Sequence, residues 1–195
     1  MKKFLLFVAI IALCSSTFAQ DVKFGLKGGL NFANWAGDDV EDTDMKTDIF
    51  IGAFARFAIN EDLAFQPEMV YSRQGMKMEE GDEELKWKSN YLNIPLLLRA
   101  KMFGADNFHA IAGPQIGIHL SSEAEVEAGD LSNSADADDL MKGLDLSLAL
   151  GFEYDITEKV ALGLRYNLGM SKIIDDEQDP KVRNSVFQLG VSMAF

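Results

Sequence analysis

The final stretch, Asn184 to Phe195, reads NSVFQLGVSMAF and constrains the fold more than any other part of the chain. Ser185, Phe187, Leu189, Val191, Met193 and Phe195 share one parity; Asn184, Gln188, Gly190 and Ser192 share the other. A period of two belongs to a strand, here with one apolar face and one polar or small face. A soluble strand gains nothing from ending on a large exposed ring, whereas a bilayer gives that ring a place. The terminal strand of a soluble sandwich is the alternative on this stretch alone.

At the other end, Lys2 and Lys3 precede the apolar run Phe4 to Leu13, and a short polar region closes on Thr17-Phe18-Ala19. This is the layout of a secretory signal peptide over residues 1–19, with cleavage expected before Gln20. The run is too short to be a transmembrane helix. Cys14, the single cysteine, follows Leu13 rather than the small residue that lipoprotein processing needs, so residues 20–195 are expected to carry no thiol. That excludes a disulfide framework and a cysteine metal site. What remains has 16 basic against 31 acidic residues, an unlikely surface for nucleic acid. No later run of eighteen apolar residues occurs, so a membrane would have to be crossed by strands.

Eight such strands can be read. Val22 to Trp35 alternates Phe24, Leu26, Leu30 and Phe32 with Gly25, Lys27, Gly29 and Asn31. Asp48 to Ile59 sets Ile49, Ile51, Ala53, Ala55 and Phe57 against Phe50, Gly52, Phe54 and Arg56. Leu63 to Arg73, Trp87 to Met102, Phe108 to Leu120, Gly143 to Ile156, Val160 to Met170 and Asn184 to Phe195 follow the same rule. Pro67 weakens pairing locally in the third, because it donates no ladder hydrogen bond. Tight turns are expected around Asn60-Glu61, around Gly104 to Asn107, and from Asp155 to Lys159. Long polar excursions, solvated and self-repelling, are expected over Ala36–Asp48, Gln74–Lys86, Leu120–Lys142 and Ser171–Asn184. Those four hold 22 of the 31 acidic residues and only 7 of the 16 basic ones, so they carry the whole charge imbalance. Short turns on one rim and long loops on the other are the plan of an outer-membrane barrel.

The alternation is also compatible with a lipocalin-type soluble barrel whose apolar face lines the lumen. The charges argue against it. Soluble strand exteriors carry Lys and Glu at most outward sites. Here the polar face is mostly Gly, Ala, Ser, Asn and Gln, with a few charges of both signs: Lys27, Arg56, Glu68, Arg99, Asp145, Glu153 and Arg165. These suit a narrow interior where charges pair, and they are the candidate lumen network. Phe24, Phe57, Phe65, Phe103, Phe108, Tyr154 and Phe195 collect near the short-turn rim, and Phe32, Trp35, Trp87 and Phe187 near the other, as interfacial girdles do. The reading is therefore all-β: an eight-stranded antiparallel up-and-down transmembrane β-barrel with short periplasmic turns and long acidic extracellular loops.

Two resemblances bear on this. Gln188, Gly190, Met193 and Phe195 occupy the positions of the C-terminal recognition signal that the outer-membrane assembly machinery reads, which implies delivery to that machinery. The segments Phe24 to Trp35, Phe65-Gln66-Pro67-Glu68, Tyr91 to Leu98 and Ala112 to Gly117 resemble the PorT-like outer-membrane β-barrel family across the whole mature chain. That resemblance implies an eight-stranded barrel in the outer membrane of a Gram-negative bacterium and assigns no activity. One branch of the family serves secretion of exported proteins, and nothing in these residues places the chain there.

Catalytic chemistry is sparse. His119 and Ser121, two apart on a strand, are read as sharing the inner face near the loop-side rim, and faintly resemble the His-x-Ser of outer-membrane lipid A deacylases. Ser122 replaces the asparagine of that motif, and no carboxylate orienter is identifiable. The enzyme reading is the lesser one, and no cofactor is implied. His109 and His119 stand about 33 Å apart at strand rise and share no metal. Asp136, Asp138 and Asp139, or Asp38, Asp39, Glu41, Asp42 and Asp44, could hold Ca²⁺ weakly, without EF-hand spacing. The leading expectation is a non-enzymatic structural or surface-interaction barrel. Its partners would be membrane lipid, lipopolysaccharide through divalent cations at the acidic loops, or a protein. A narrow conduit for a small solute is the alternative, opposed by salt bridges across the lumen.

Overall fold

The computed structural model describes residues 22–37, 44–80, 83–128, 131–174 and 182–195. The expected signal peptide and Asp38, Asp39, Glu41 and Asp42 lie outside these residues. Strands run over Val22–Ala36 (β1), Lys46–Ala58 (β2), Leu63–Glu80 (β3), Glu83–Met102 (β4), Ala105–Ala128 (β5), Leu131–Asp136 (β6), Leu144–Asp155 (β7), Val160–Gly169 (β8) and Arg183–Ala194 (β9), with one 3₁₀ turn at Asp138–Leu140. Neighbours pair antiparallel in the order β4-β3-β2-β1-β9-β8-β7-β5, and β4 pairs with β5 to close the ring. Eight strands form the barrel; β6 hangs on the far part of β5.

Closure falls on the first and last strands, in register from Gly25↔Ala194 to Ala36↔Arg183. The Phe195 N–H donates to the Phe24 carbonyl at 2.8 Å, so the last residue is stitched to the first strand. Each of the eight strands of the ring has two neighbours, which a bilayer requires because it offers no water to unpaired backbone.

The apolar parity faces outward. Phe24, Leu26, Ile51, Met69, Leu146, Phe152, Leu189 and Met193 are exposed, while Asn31, Gln66, Glu68, Asn93, Arg99, Glu153 and Arg165 are buried inside. This inversion of a soluble protein is the signature of a lipid-facing wall. The bore is narrow and filled. Leu97, Ile111 and Ala149 pack together within it. Phe50 and Phe54, also inward, lie over glycines of the closing strands. A Cβ on Gly25 would stand 2.3 Å from the Phe54 ring, and one on Gly190 2.6 Å from the Phe50 ring. Gly190→Ala is therefore expected to overpack the bore and destabilise the barrel by about 1–3 kcal/mol, read as a lower urea midpoint for the refolded protein. An unchanged midpoint would show that Phe50 swings away freely.

Three sequence expectations need correction. The β4–β5 turn falls at Phe103-Gly104, with Met102 opposite Ala105, rather than over Gly104 to Asn107. Both turn residues have positive φ, 56° and 69°, the left-handed pair of a type I′ hairpin. Phe103 accepts that conformation while stacking on Phe108 at 6.3 Å.

Gln74–Lys86 and most of Leu120–Lys142 are not free loops. β3 and β4 stay paired to Glu80↔Glu83, and β5 continues to Ala128 before turning back as β6. Met76, Met78, Leu85 and Trp87 keep the alternation going, so the sheet outlasts the bilayer.

Trp35 and Trp87 do not belong to a lipid-facing girdle. Their rings meet at 5.2 Å in an internal cluster. Trp35 shares its parity with Asn31 and Ala33, both buried inside.

Candidate functional site

Four layers fill the bore. At the short-turn end is an open vestibule of about 730 Å³, lined by Arg56, Arg99, His109 and Asp155 together with turn residues such as Asn60 and Thr157.

Next comes the charged layer. Lys27 Nζ donates to both Glu68 oxygens at 2.9 Å. Arg165 grips the same carboxylate with two nitrogens at 2.8 and 2.9 Å. Gln66 Nε2 donates to Glu68 at 2.9 Å and to Glu153 at 3.3 Å, linking the two acids. Arg99 donates to Glu153 at 2.8 Å and to Asp155 at 2.6 Å. Arg56 donates to Gln66 at 2.8 Å and reaches Glu153 at 3.4 Å. The network draws on β1, β2, β3, β4, β7 and β8, so it braces the bore across its width. Within this layer Glu68 has Lys27 and Arg165 and Glu153 has Arg56 and Arg99, the condition under which burying such charges is tolerable.

Six of the seven residues nominated from the sequence meet here; Asp145 does not. It stands eight residues from Glu153 on β7, about 27 Å at strand rise. Gln66 and Asp155 complete the layer, and both lie on strand parities that point inward.

Above it is a polar, mostly uncharged layer. Asn31 Nδ2 donates to Ser72 at 2.9 Å, Gln188 Nε2 to Asn31 at 2.8 Å, and Gln115 Nε2 to Ser147 at 3.0 Å. Gln188 of the assembly signal thus points into the bore, whereas Met193 and Phe195 are exposed outside, the latter by 66%.

The loop end is closed by an apolar cap of Trp35, Met76, Tyr91, Met141, Ile173 and Val182. Met141 and Ile173 arrive on connecting segments held by backbone hydrogen bonds: Lys142 N–H to the Ile173 carbonyl at 2.8 Å, and Ile173 N–H to the Val182 carbonyl at 3.1 Å.

The His119–Ser121 pair is not formed. A register shift between Asn90/Tyr91 and their partners on β5 sets His119 opposite Tyr91 but Ser121 opposite Asn90. One extra residue in the strand turns Ser121 away, where it accepts from Asn90 at 2.9 Å. His119 Nε2 instead meets Ser122 Oγ at 2.7 Å. Ser122 is buried and shares a further 2.7 Å hydrogen bond with Ser89. Ser121→Ala is expected to shift stability by no more than about 0.5 kcal/mol, as for surface sites, while Ser122→Ala costs about 1–2 kcal/mol through two lost buried hydrogen bonds. Urea titration separates the two.

Beyond the lipid-facing band, β3, β4, β5 and β6 form a four-stranded sheet. Its outer face is ion-paired rather than simply repulsive: Lys86 meets Glu84 at 2.9 Å and Lys88 bonds Glu125. At its β2 side, Arg73 reaches Asp48 of β2 at 3.3 Å. The bond from Lys88 holds the Glu125 carboxyl below its ordinary range. This tie is thus present at neutral pH and lost only as pH falls through that depressed value. Asp44 pairs through its backbone with Lys77. Asp136 accepts from the Asp138 N–H at 3.0 Å, and Asp138 from the Ser122 N–H, so both carboxylates order the chain around the 3₁₀ turn. Among the described residues no group of three His, Cys, Asp or Glu is arranged to hold a metal.

A closed antiparallel ring with an apolar exterior and charged interior already excludes a soluble sandwich. Comparison with known families decides the rest: residues 18–175 match the outer membrane protein beta-barrel domain. The chain belongs to that family. It is an outer-membrane protein. Its surroundings are accordingly membrane lipid and lipopolysaccharide. No curated protein matches it at the level of sequence. Among solved structures, Neisserial surface protein A is similar with a TM-score of 0.53 at 15% identity, covering 90% of this chain and 100% of that one. The attachment invasion locus protein Ail of Yersinia pestis gives a TM-score of 0.51 at 12% identity, with the same coverage. Ail in complex with the heparin analogue sucrose octasulfate gives 0.51 at 13% identity. At these identities the likeness concerns the fold.

Proposed function

We propose that this barrel is a non-enzymatic, non-conducting surface protein that works by presenting the β3–β6 sheet to a partner outside the cell. One observation carries the reading. The sheet continues past the lipid-facing band and ends in β6, which pairs with β5 on one edge and with no strand on the other among the described residues. Such an edge offers a row of N–H and C=O groups to an extended segment. The sequence of β6, LSNSAD, contains none of the lysines or prolines that usually guard an edge. The excess of acidic residues in the loop regions favours a cationic partner.

Ail, the attachment invasion locus protein, is a barrel of the same fold and supports a contact role for so small a scaffold. The charged layer and apolar cap oppose the conduit reading, since each spans the bore. Kinship with the PorT-like family, recognition of Gln188, Gly190, Met193 and Phe195 by the assembly machinery, and divalent bridging of the acidic loops to lipopolysaccharide complete the proposal. The test replaces residues 123–136 by a short turn and compares adhesion of expressing cells to polylysine-coated and heparin-coated surfaces. The account expects adhesion to polylysine, lost in the trimmed variant while its unboiled gel mobility stays that of a folded barrel. Equal adhesion by both proteins would overturn it.

A further inference from the structure

The β5–β6 pair carries a conflict of charge at its outer margin. Glu123 stands directly opposite Asp136 in the register, and both are exposed. Neither forms an ion pair among the described residues. Lys88, across from Glu123 on β4, gives its ammonium to Glu125 instead, and Asp136 accepts only from the Asp138 N–H. Like charges facing each other across a strand pair weaken it. The cations of this face, Arg73, Lys86 and Lys88, stand on β3 and β4, so the margin at β5 and β6 is the acidic one.

The backbone of that margin is open in a definite phase. The Ala137 N–H donates to the Ser122 carbonyl at 3.1 Å. Directly opposed antiparallel residues alternate between exchanging both hydrogen bonds and exchanging none. With that bond as reference, Asn133 and Ala135 turn their backbone groups toward β5, whereas Ser134 and Asp136 turn theirs to the free side. The side chains of Ser134 and Asp136 share the acidic face with Glu125 and Glu123. Those of Asn133 and Ala135 share the other face with Val126 and Ala124, all uncharged.

We propose that the free edge of β6 receives an extended segment with Lys or Arg at alternate positions and uncharged residues between them. Such a segment is the partner that the surface-contact reading calls for, and its assignment rests on that reading. Backbone pairing with Ser134 and Asp136 puts every second incoming side chain on the acidic face. A cation beside Asp136 adjoins it directly. Glu123 lies two strand spacings away, about 9–10 Å, a gap that a lysine and a glutamate side chain close between them. The incoming charge thus relieves the repulsion between Glu123 and Asp136. A second copy of β6 does not suit, because LSNSAD brings Asp136 and no cation. Consecutive cations do not suit either, since every other one would project onto the uncharged face.

The experiment measures binding of labelled synthetic hexapeptides to the refolded full barrel in detergent by fluorescence anisotropy. One peptide alternates Lys and Thr; its isomer has the same composition with the lysines in one block. The alternating peptide is expected to bind several-fold more tightly than the isomer. Glu123→Gln and Asp136→Asn should each weaken it by up to about fivefold, as for an exposed ion pair. Ser134→Pro should abolish the preference, because proline removes an N–H that faces the free edge and leaves the bonds between β5 and β6 in place. Equal binding of the two isomers, lost when residues 123–136 are replaced by the short turn, would overturn strand pairing and leave the surface-contact reading standing on charge alone. A Ser134→Pro barrel that still prefers the alternating peptide would also overturn strand pairing. Binding of neither isomer beyond that of the trimmed barrel would overturn both readings.

Discussion

Glu68→Gln is expected to lower the unfolding free energy of the refolded barrel by about 3–5 kcal/mol, the cost of stranding buried charge. Glu68 is the shared acceptor of Lys27 and Arg165, and both cations sit inside the bore. The glutamine keeps the shape but not the charge, so both partners are left facing a neutral amide. Urea titration checks this, and a double-mutant cycle with Lys27→Met isolates the pair: part of the loss should return when the lysine is removed too. A loss below about 1 kcal/mol would place Glu68 in the range of exposed pairs and show that water screens the bore.

Trp35→Ala is expected to cost about 3–5 kcal/mol, as for other large buried rings. Its consequence is also topological. Trp35 packs against the Trp87 ring, tilted 58° to it, and with Met141, Ile173 and Val182, which the connecting segments bring over the mouth. Without the ring those segments lose their anchor, and trypsin should cut the folded variant at Lys142 and Lys172 much faster than the wild type. Mass spectrometry of the fragments reads this directly. Equal cutting rates would mean that the backbone bonds alone hold the cap.

The barrel itself was legible because a bilayer enforces its rule at every outward position. Leu146, Leu150 and Phe152 against Ser147, Ala149 and Glu153 leave little freedom once the faces are assigned. Where the bilayer ends, that rule ends. Gln74 to Lys86 still alternates, but Lys77 and Lys86 stand where lipid-facing residues would be, so a continuing strand looks like a loop. The shift that separates His119 from Ser121 had no glycine or proline to announce it, since Leu120-Ser121-Ser122 fits either register. Trp35 was readable from its parity with Asn31, whereas proximity to the rim suggested a girdle. Asp145 was nominated with Glu153 by parity alone; their eight-residue separation already placed them at different depths.

The central claim is that one end of a closed outer-membrane barrel carries a sheet into the medium while the short turns stay in the periplasm. Because Cys14 is the only cysteine and lies in the expected leader, a single introduced thiol is unambiguous. The decisive measurement labels intact cells with a membrane-impermeant maleimide after Ser134→Cys on β6 or Thr157→Cys in the β7–β8 turn. The account predicts that the β6 thiol is modified at once and the turn thiol only after the outer membrane is permeabilised. Modification of the turn thiol in intact cells, with β6 protected, would contradict it.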